Sequence, residues 1–429
     1  MTITTEVPNR NYIEMTFVKE TATGKGLNTQ FIMENIGDGT FSVTDGRVGI
    51  KVGPHKPKRY LRPMDDWDKM FLSRMSRGYL VTKTKKMDKK IIQQGGSYKE
   101  IPDPAVKEIV ERLMSYADQA MEENFTVKVD DISDEMIDYG KEILGEMQSR
   151  YQKMSVAEFN SKLKVLYAAV PRRIDKLSDK LAKYKSDFLP IIEEEQELYD
   201  LMIKQVRAAG LTATDDKTIL DLYGLHIRPV TADEEQYIKK KLTGQASSYK
   251  NAWKVTFDKS EAEFNDFCKK ENLTFENDGI SHLFHGSKHQ CWWSILTNGI
   301  WCEPEKHPEF CGTITGKAYG LGAYMAADAI KSKGYTSFMN SKWAHGTEDT
   351  GFMALFKAAT GDPSRRFNGD RSKCSNNDSS TLTWDNLQKV QPGALCTWAE
   401  CRYSGFMMDE IIMYQEKQFT IDYLIELGA

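Results

Sequence analysis

The sequence predicts a multidomain α+β protein: a small α/β module, an all-α helical bundle, and a larger domain built on mixed antiparallel sheet. Three observations carry this. A chain of 429 residues is too long for one small core and suits two or three domains. The apolar pattern changes character twice, from alternation before residue 52 to helical spacing over 100–210 and back to short β-like runs after about 216. Charge changes with it: residues 1–100 carry 18 Lys and Arg against 11 Asp and Glu, whereas the remainder is acidic enough to bring the whole chain to −4.

The first module is placed at residues 1–96. In YIEMTFVKE (12–20), Ile13, Met15 and Phe17 alternate with Glu14 and Thr16, which gives a strand one apolar face. TQFIMENI, TFSV and RVGIKV read as further strands, with turn chemistry at Gly37-Asp38-Gly39 and at Asp45-Gly46. Trp67, Phe71 and Met75 stand four residues apart and make one face of a helix, with Met64 a turn earlier and Gly78 as the stop. The lysine-rich KTKKMDKK (83–90) and QQGGS (93–97) read as an exposed segment and a linker. The helical domain is placed at 100–212. Pro104 opens a helix where its missing N–H costs nothing. Ser155 with Glu158 forms a capping-box signature ahead of Phe159, Leu163, Leu166, Tyr167 and Val170, and Pro171 ends that stretch. A long charged helix carrying Leu198, Tyr199, Met202 and Val206 closes at Gly210. From 216 to 429 the runs HLFHGS, YGLGAYMA, GFMALFKAAT, DEIIMYQ and FTIDYLIEL predict a sheet-rich domain.

Several function classes are excluded at this stage. No run of 18 apolar residues predicts a membrane span, and the N-terminus has no basic start followed by an apolar stretch, so an intracellular location is expected, nuclear or cytoplasmic according to cell type. The seven cysteines form no C-x-x-C pair, so free thiols are expected and no metal site. No Gly-x-Gly-x-x-Gly follows a strand, and there is no P-loop. The basic first module suggests a polyanion contact, against the ordinary reading of a solvated lysine-rich surface.

Singly, the chemical candidates are ordinary. A histidine ending a strand (His285) is usually structural, a tyrosine in a glycine-rich turn (Tyr324) usually packs, and a carboxylate opening a strand (Glu410) usually faces water. Their order is more specific. LFHGSKHQCWWSILTNGI, TGKAYGLGAYMAADAIKSKGY and MMDEIIMYQEKQFTIDYLIEL together resemble the catalytic domain of the poly(ADP-ribose) polymerase family, with its His-Tyr-Glu set spread over three strands. The 100–212 helices resemble that family's helical regulatory domain.

The resemblance implies NAD as cosubstrate, with His285, Tyr324 and Glu410 catalytic. It implies that Gly286 offers its backbone N–H and C=O to the nicotinamide carboxamide, with Ser332 adding a hydroxyl. Tyr335 and Tyr324 would wall the ring, and Ser287 would assist His285 at a ribose hydroxyl. Lys331 matches a lysine placed near the acceptor; its ordinary reading is a solvent-facing helix residue. Breaking the nicotinamide–ribose bond builds oxocarbenium-like positive charge on the sugar, which a fixed carboxylate stabilises. Three positions depart from the family pattern, Leu321 for a basic residue, Cys291 for asparagine and Trp301 for arginine, all on the adenosine side or its covering loop (302–317).

The first module resembles a WGR domain through Asp45-Gly46-Arg47, with Asp45 where the tryptophan belongs. In that family the tryptophan packs against nucleic acid at a strand break, and an acid at position 45 repels phosphate, which favours an interdomain role for Arg47; charge alone leaves Arg47, Lys56, Lys58, Arg59 and Lys83 to Lys90 as the nucleic-acid-binding candidates. The implied activity is transfer of ADP-ribose to protein acceptors including the chain itself, with polymer elongation, and activation by DNA strand breaks in a DNA damage response. A mono-ADP-ribosyltransferase, an NAD hydrolase or a non-catalytic nucleic-acid or protein-binding adaptor are the alternatives.

Overall fold

Contacts gather the chain into two units, Met1–Gln94 with Gln119–Gly210, and Gly95–Asp118 with Leu211–Ala429. The computed structural model describes residues 7–21, 25–50, 53, 56–84, 98–208, 216–303, 306–307 and 318–428. Lys85 to Lys90, the 93–97 linker, Gly210 and most of the 302–317 loop lie outside the described residues.

In the first unit, β1 (Tyr12–Glu20), β2 (Gly26–Asn35), β3 (Thr40–Arg47), β4 (Lys58–Pro63) and β5 (Leu80–Lys83) form an antiparallel sheet in the order β4-β3-β2-β1-β5. One face carries Ile13, Met15, Phe31, Met33, Phe41 and Val43, closed by Trp67 and Phe71 of α1 (Trp67–Met75). Gly37 and Gly39 both have positive φ in the turn before β3, as the sequence predicts. Asp45 and Gly46, expected to turn, instead continue β3 opposite Phe31 and Gln30. A Cβ at Gly46 would collide with Pro57, so this glycine serves a close approach rather than a bend. The chain turns only at Val48 and Gly49, so RVGIKV is not one strand. β4 was not foreseen, because an exposed edge strand rich in charge shows no apolar alternation.

Helices follow. α2 (Pro104–Asn124) opens at Pro104, and the boundary between the units falls within it. α3 (Asp134–Arg150) packs on α4 (Val156–Ala169) and, beyond the short α5 (Leu177–Lys180), on α6 (Phe188–Ala208). The capping box at α4 is present, with Ser155 accepting from the Glu158 N–H and Glu158 from the Ser155 N–H. Phe159 stacks on Phe188 at 4.0 Å. Thr16, expected on a polar strand face, is buried and donates to the Ala168 carbonyl of α4, so β1 is covered on both sides.

In the second unit, α7 (Ile219–Tyr223), β6 (Leu225–Pro229), α8 (Ala232–Leu242), β7 (Tyr249–Phe257) and α9 (Asp258–Glu271) lead into β8 (Ser281–Ser287), α10 (Trp292–Asn298), β9 (Ala323–Met325) and α11 (Ala329–Lys333). Then come β10 (Thr350–Ala358), β11 (Arg366–Phe367), α12 (Trp384–Val390), β12 (Cys396–Ala399), α13 (Cys401–Ser404), β13 (Glu410–Met413) and β14 (Phe419–Gly428). One sheet runs β6-β7-β14-β10-β8 with antiparallel pairs; the other runs β11-β12-β13-β9, with only β11 and β12 parallel. β14 lies in the interior of the first sheet and is buried on both faces, which explains its near-continuous apolar run. Its two acids are paired: Asp422 with Lys254 (2.5 Å) and His282 (3.1 Å), Glu426 with Arg112 (2.9 Å) and Lys250 (3.3 Å). The multidomain α+β class therefore holds. Among the described residues no helix is long and apolar enough to cross a membrane.

Candidate active site

β8 is an edge strand of its sheet, and its outer side meets the second sheet at one point. Phe284 and Ala326 exchange both backbone hydrogen bonds, at 2.7 and 2.9 Å. Since β10 lies on the other side of β8, the N–H and C=O of Phe284 point away from β10. Alternation along a strand directs the same groups of Gly286, two residues on, the same way. A Cβ at Gly286 would run into the Ser332 carbonyl, so the backbone of β8 sits directly against α11 and only glycine fits.

Around that junction the three predicted residues assemble. His285 Nδ1 is 2.9 Å from the Tyr324 carbonyl oxygen, and its ring lies edge-on to Trp292 and Phe356. Tyr324 pairs with Ile412 across β9 and β13; its hydroxyl donates to the Gly320 carbonyl (3.0 Å) and accepts from the Tyr319 N–H (2.9 Å). Burial pushes the Tyr324 phenol well above its ordinary range, and the Glu410 carboxylate adds to the shift. Glu410 opens β13 beside Ile411, the partner of Met325. The carboxylate does not face water as such a residue ordinarily would: it is 8% exposed and lies 3.0 Å from Lys331 Nζ. Lys331 is itself 6% exposed, against its ordinary reading as a solvent-facing helix residue. Its ammonium also donates to the Met408 carbonyl (3.2 Å) and lies over the Phe406 ring. A buried lysine and a buried glutamate that satisfy each other keep an anion fixed in a low-dielectric place.

The remaining predicted residues surround this centre. Ser332 is buried in α11, whose first turn is capped by Asp328. The Ser287 carbonyl accepts from the Trp292 indole at 3.1 Å. Tyr335, 41% exposed, stacks on Trp343 at 4.8 Å and 18°. Trp343 escaped the sequence reading, because no local spacing links it to Tyr335; only the fold stacks them. Tyr319 is fully buried beside the Gly320 turn, and its hydroxyl donates to the Gly369 carbonyl at 2.7 Å. Gly320 has φ +73, and a Cβ there would strike the Leu382 carbonyl. Of the three departures, Trp301 stacks on His307 at 4.1 Å and 8°, and His307 bonds Glu416 at 2.9 Å. Leu321 and Cys291 are half-buried.

Cys311 lies outside the described residues; the other cysteines are free thiols, and burial pushes Cys268 up to about 11 and Cys396 to about 12. Among the described residues no group of three or more His, Cys, Asp and Glu is placed to hold a metal ion.

The basic candidates lie in the first unit. Lys58 and Arg59 are exposed on edge strand β4, Lys56 is exposed just before it, and Arg47 ends β3 half-buried. Asp45 stands opposite Lys58 and is bonded by Arg74 at 2.6 Å, with Arg74 lying over Phe31 at 3.9 Å. The acid is therefore neutralised from within its own module, which lessens its repulsion of phosphate.

Residues 232–429, a little under half of the chain, match the model of the family described as Poly(ADP-ribose) polymerase catalytic domain. A protein of Invertebrate iridescent virus 6, named Uncharacterized protein 101L, is 24% identical over 180 residues, which are 42% of this chain and 73% of that protein. The family match supports a catalytic domain of this kind in the C-terminal part, with NAD+ ADP-ribosyltransferase as its general enzyme class.

Proposed function

We propose that the chain is a protein poly-ADP-ribosyltransferase that uses NAD as cosubstrate, releases nicotinamide and elongates the product. The observation that carries this is the Lys331–Glu410 pair, a carboxylate fixed 3.0 Å from a buried ammonium at the junction where His285 and Gly286 also sit. The residues present fit NAD: Gly286 offers an outward N–H and C=O to a carboxamide, which no side chain at that position would allow. Ser332 adds a hydroxyl, Tyr335 and Tyr324 give aromatic walls, and His285 with Ser287 suits a ribose diol. Glu410 accepts a hydrogen bond from the nicotinamide ribose, stabilises the positive charge that develops there, and orients the incoming acceptor. Because Lys331 holds it, the carboxylate is in place before the reaction and need not reorganise.

The three-domain reading, 1–96, 100–212 and 216–429, belongs to the same proposal, as does a DNA break contacting Arg47, Lys56, Lys58 and Arg59. Incubation with labelled NAD tests it, using wild type and Glu410→Gln with and without nicked DNA. Long labelled products are expected in wild type and are lost in the variant. Absence of any label in folded wild type sinks the enzyme reading; activity and binding indifferent to DNA removes only the nucleic-acid part.

A further inference from the structure

The connection from α11 to β10, residues 334–349, is long for a loop inside a compact domain, and its backbone is closely bonded to itself. The Met339 N–H donates to the Glu348 carbonyl at 2.8 Å, the Glu348 N–H to the Ser337 carbonyl at 3.0 Å, and the Asn340 N–H to the Gly346 carbonyl at 3.0 Å. Phe338 is buried within it, and a Cβ at Gly346 would strike the Ser337 and Phe338 carbonyls. Three further contacts anchor it. The Ser337 hydroxyl accepts from the N–H of His289, two residues beyond β8, at 2.9 Å. The Gly334 carbonyl accepts from the N–H groups of both Trp343 and Ala344, at 2.9 and 3.0 Å. The Lys342 ammonium lies 5.2 Å from the centre of the Trp343 ring and donates at 2.9 Å to Sδ of Met407, three residues before Glu410.

This loop delivers one ring to the site. The Trp343 indole lies against Gly334, where a Cβ would come within 2.3 Å of it, and stacks on Tyr335 with 4.8 Å between ring centres and 18° between planes. Tyr335 is tied to the centre of the site. Its N–H donates at 3.1 Å to the Ser332 carbonyl, the same carbonyl that abuts Gly286, and its phenol adds to the upward shift of Tyr324. The residue is nevertheless 41% exposed. An exposed aromatic side chain keeps torsional freedom that a ligand stacking on it must freeze out; one already stacked from behind has given that freedom up.

We propose that Trp343 is a positioning residue for the nicotinamide of NAD: it takes one face of Tyr335, fixes the plane of that ring, and so preorganises the opposite face as the nicotinamide wall. This rests on the transferase reading above, in which Tyr335 walls that ring. Trp343 acts through Tyr335 and takes no part in the bond-breaking step, so it supports substrate and transition state alike. Uniform binding of that kind sets KM and leaves kcat in place. Free nicotinamide stacks on the same face and depends on Trp343 in the same way.

Release of labelled nicotinamide, measured against NAD concentration and against added unlabelled nicotinamide, tests this. Trp343→Ala is expected to raise KM and the inhibition constant of nicotinamide together, by about three- to tenfold, with kcat within about twofold of wild type. Trp343→Phe, which keeps a flat ring behind Tyr335, should recover most of both. Gly334→Ala, whose methyl displaces the indole from its seat, should shift both constants in the direction of Trp343→Ala, and carries the test if that variant does not fold. A fall in kcat with KM and the inhibition constant unchanged is the mark of a merely structural loop and overturns the proposal. So do wild-type constants in active Trp343→Ala or Gly334→Ala, and these leave the transferase reading standing. No nicotinamide release by folded wild type overturns both.

Discussion

Lys331 and Glu410 are paired although each is almost wholly buried, so removing one takes away an offset to the other's desolvation. Lys331→Met is expected to cost on the order of 3 kcal/mol in denaturant unfolding, since the carboxylate left behind keeps its desolvation penalty. The same change should slow nicotinamide release, as Glu410 loses the ammonium that fixes it. Unchanged unfolding and turnover would show that the pair is incidental. At Gly286, the alanine Cβ would have to displace the Ser332 carbonyl, which is backbone and cannot move aside cheaply. Gly286→Ala should therefore lower stability by about 1–3 kcal/mol and weaken NAD turnover more than tenfold. Calorimetry and initial rates read both.

Among the helices, α8 shows how a capping box and a partner on the preceding strand combine. Thr231 and Glu234 form a capping box, and Arg228 of β6 adds a bidentate pair to Glu234 at 2.7 and 2.8 Å. The hydrogen bonds from Arg228, despite some burial, lower the Glu234 carboxyl to about 2. Its folded pKa lies below its unfolded one, so the stabilisation is complete above roughly pH 4.3 and is lost as pH falls through about 2. Glu234→Gln should lose on the order of 1–2 kcal/mol at neutral pH, a figure discounted because Arg228 is half exposed. The wild-type advantage should disappear in the acid limb of a stability–pH curve. At α4, Ser155→Ala removes the cap that starts the helix and should cost about 1 kcal/mol by thermal unfolding.

Across the chain, residues 95–118 belong with the C-terminal unit, although their sequence reads as part of the helical stretch. Arg112 of α2 reaches buried Glu426 at 2.9 Å and lies over Phe352, the partner of Ser287, while Tyr116 stacks on His289 at 4.5 Å. Arg112→Met leaves Glu426 with only the more exposed Lys250, and is expected to cost about 2 kcal/mol in denaturant unfolding. A variant as stable as wild type would show that α2 adds nothing to the C-terminal unit through this contact.

Elements governed by local physics were legible in advance: the alternation of β1, the Trp67–Phe71 face of α1, Pro104, the Ser155 cap, and the strands carrying His285 and Glu410. Edge strand β4 was not, because a partner strand made it extended and its own residues show no apolar period. Gly46 looked like a turn, since the approach of Pro57 that requires a glycine there leaves no local mark. The types and order of His285, Tyr324, Glu410 and Lys331 stood in the sequence, and so did the chemistry they suggest. That Glu410 is buried rather than wet and that Lys331 turns inward to hold it come from contact between distant segments. Burial and pairing of charge follow from which strands meet, and one-dimensional spacing carries no information about that.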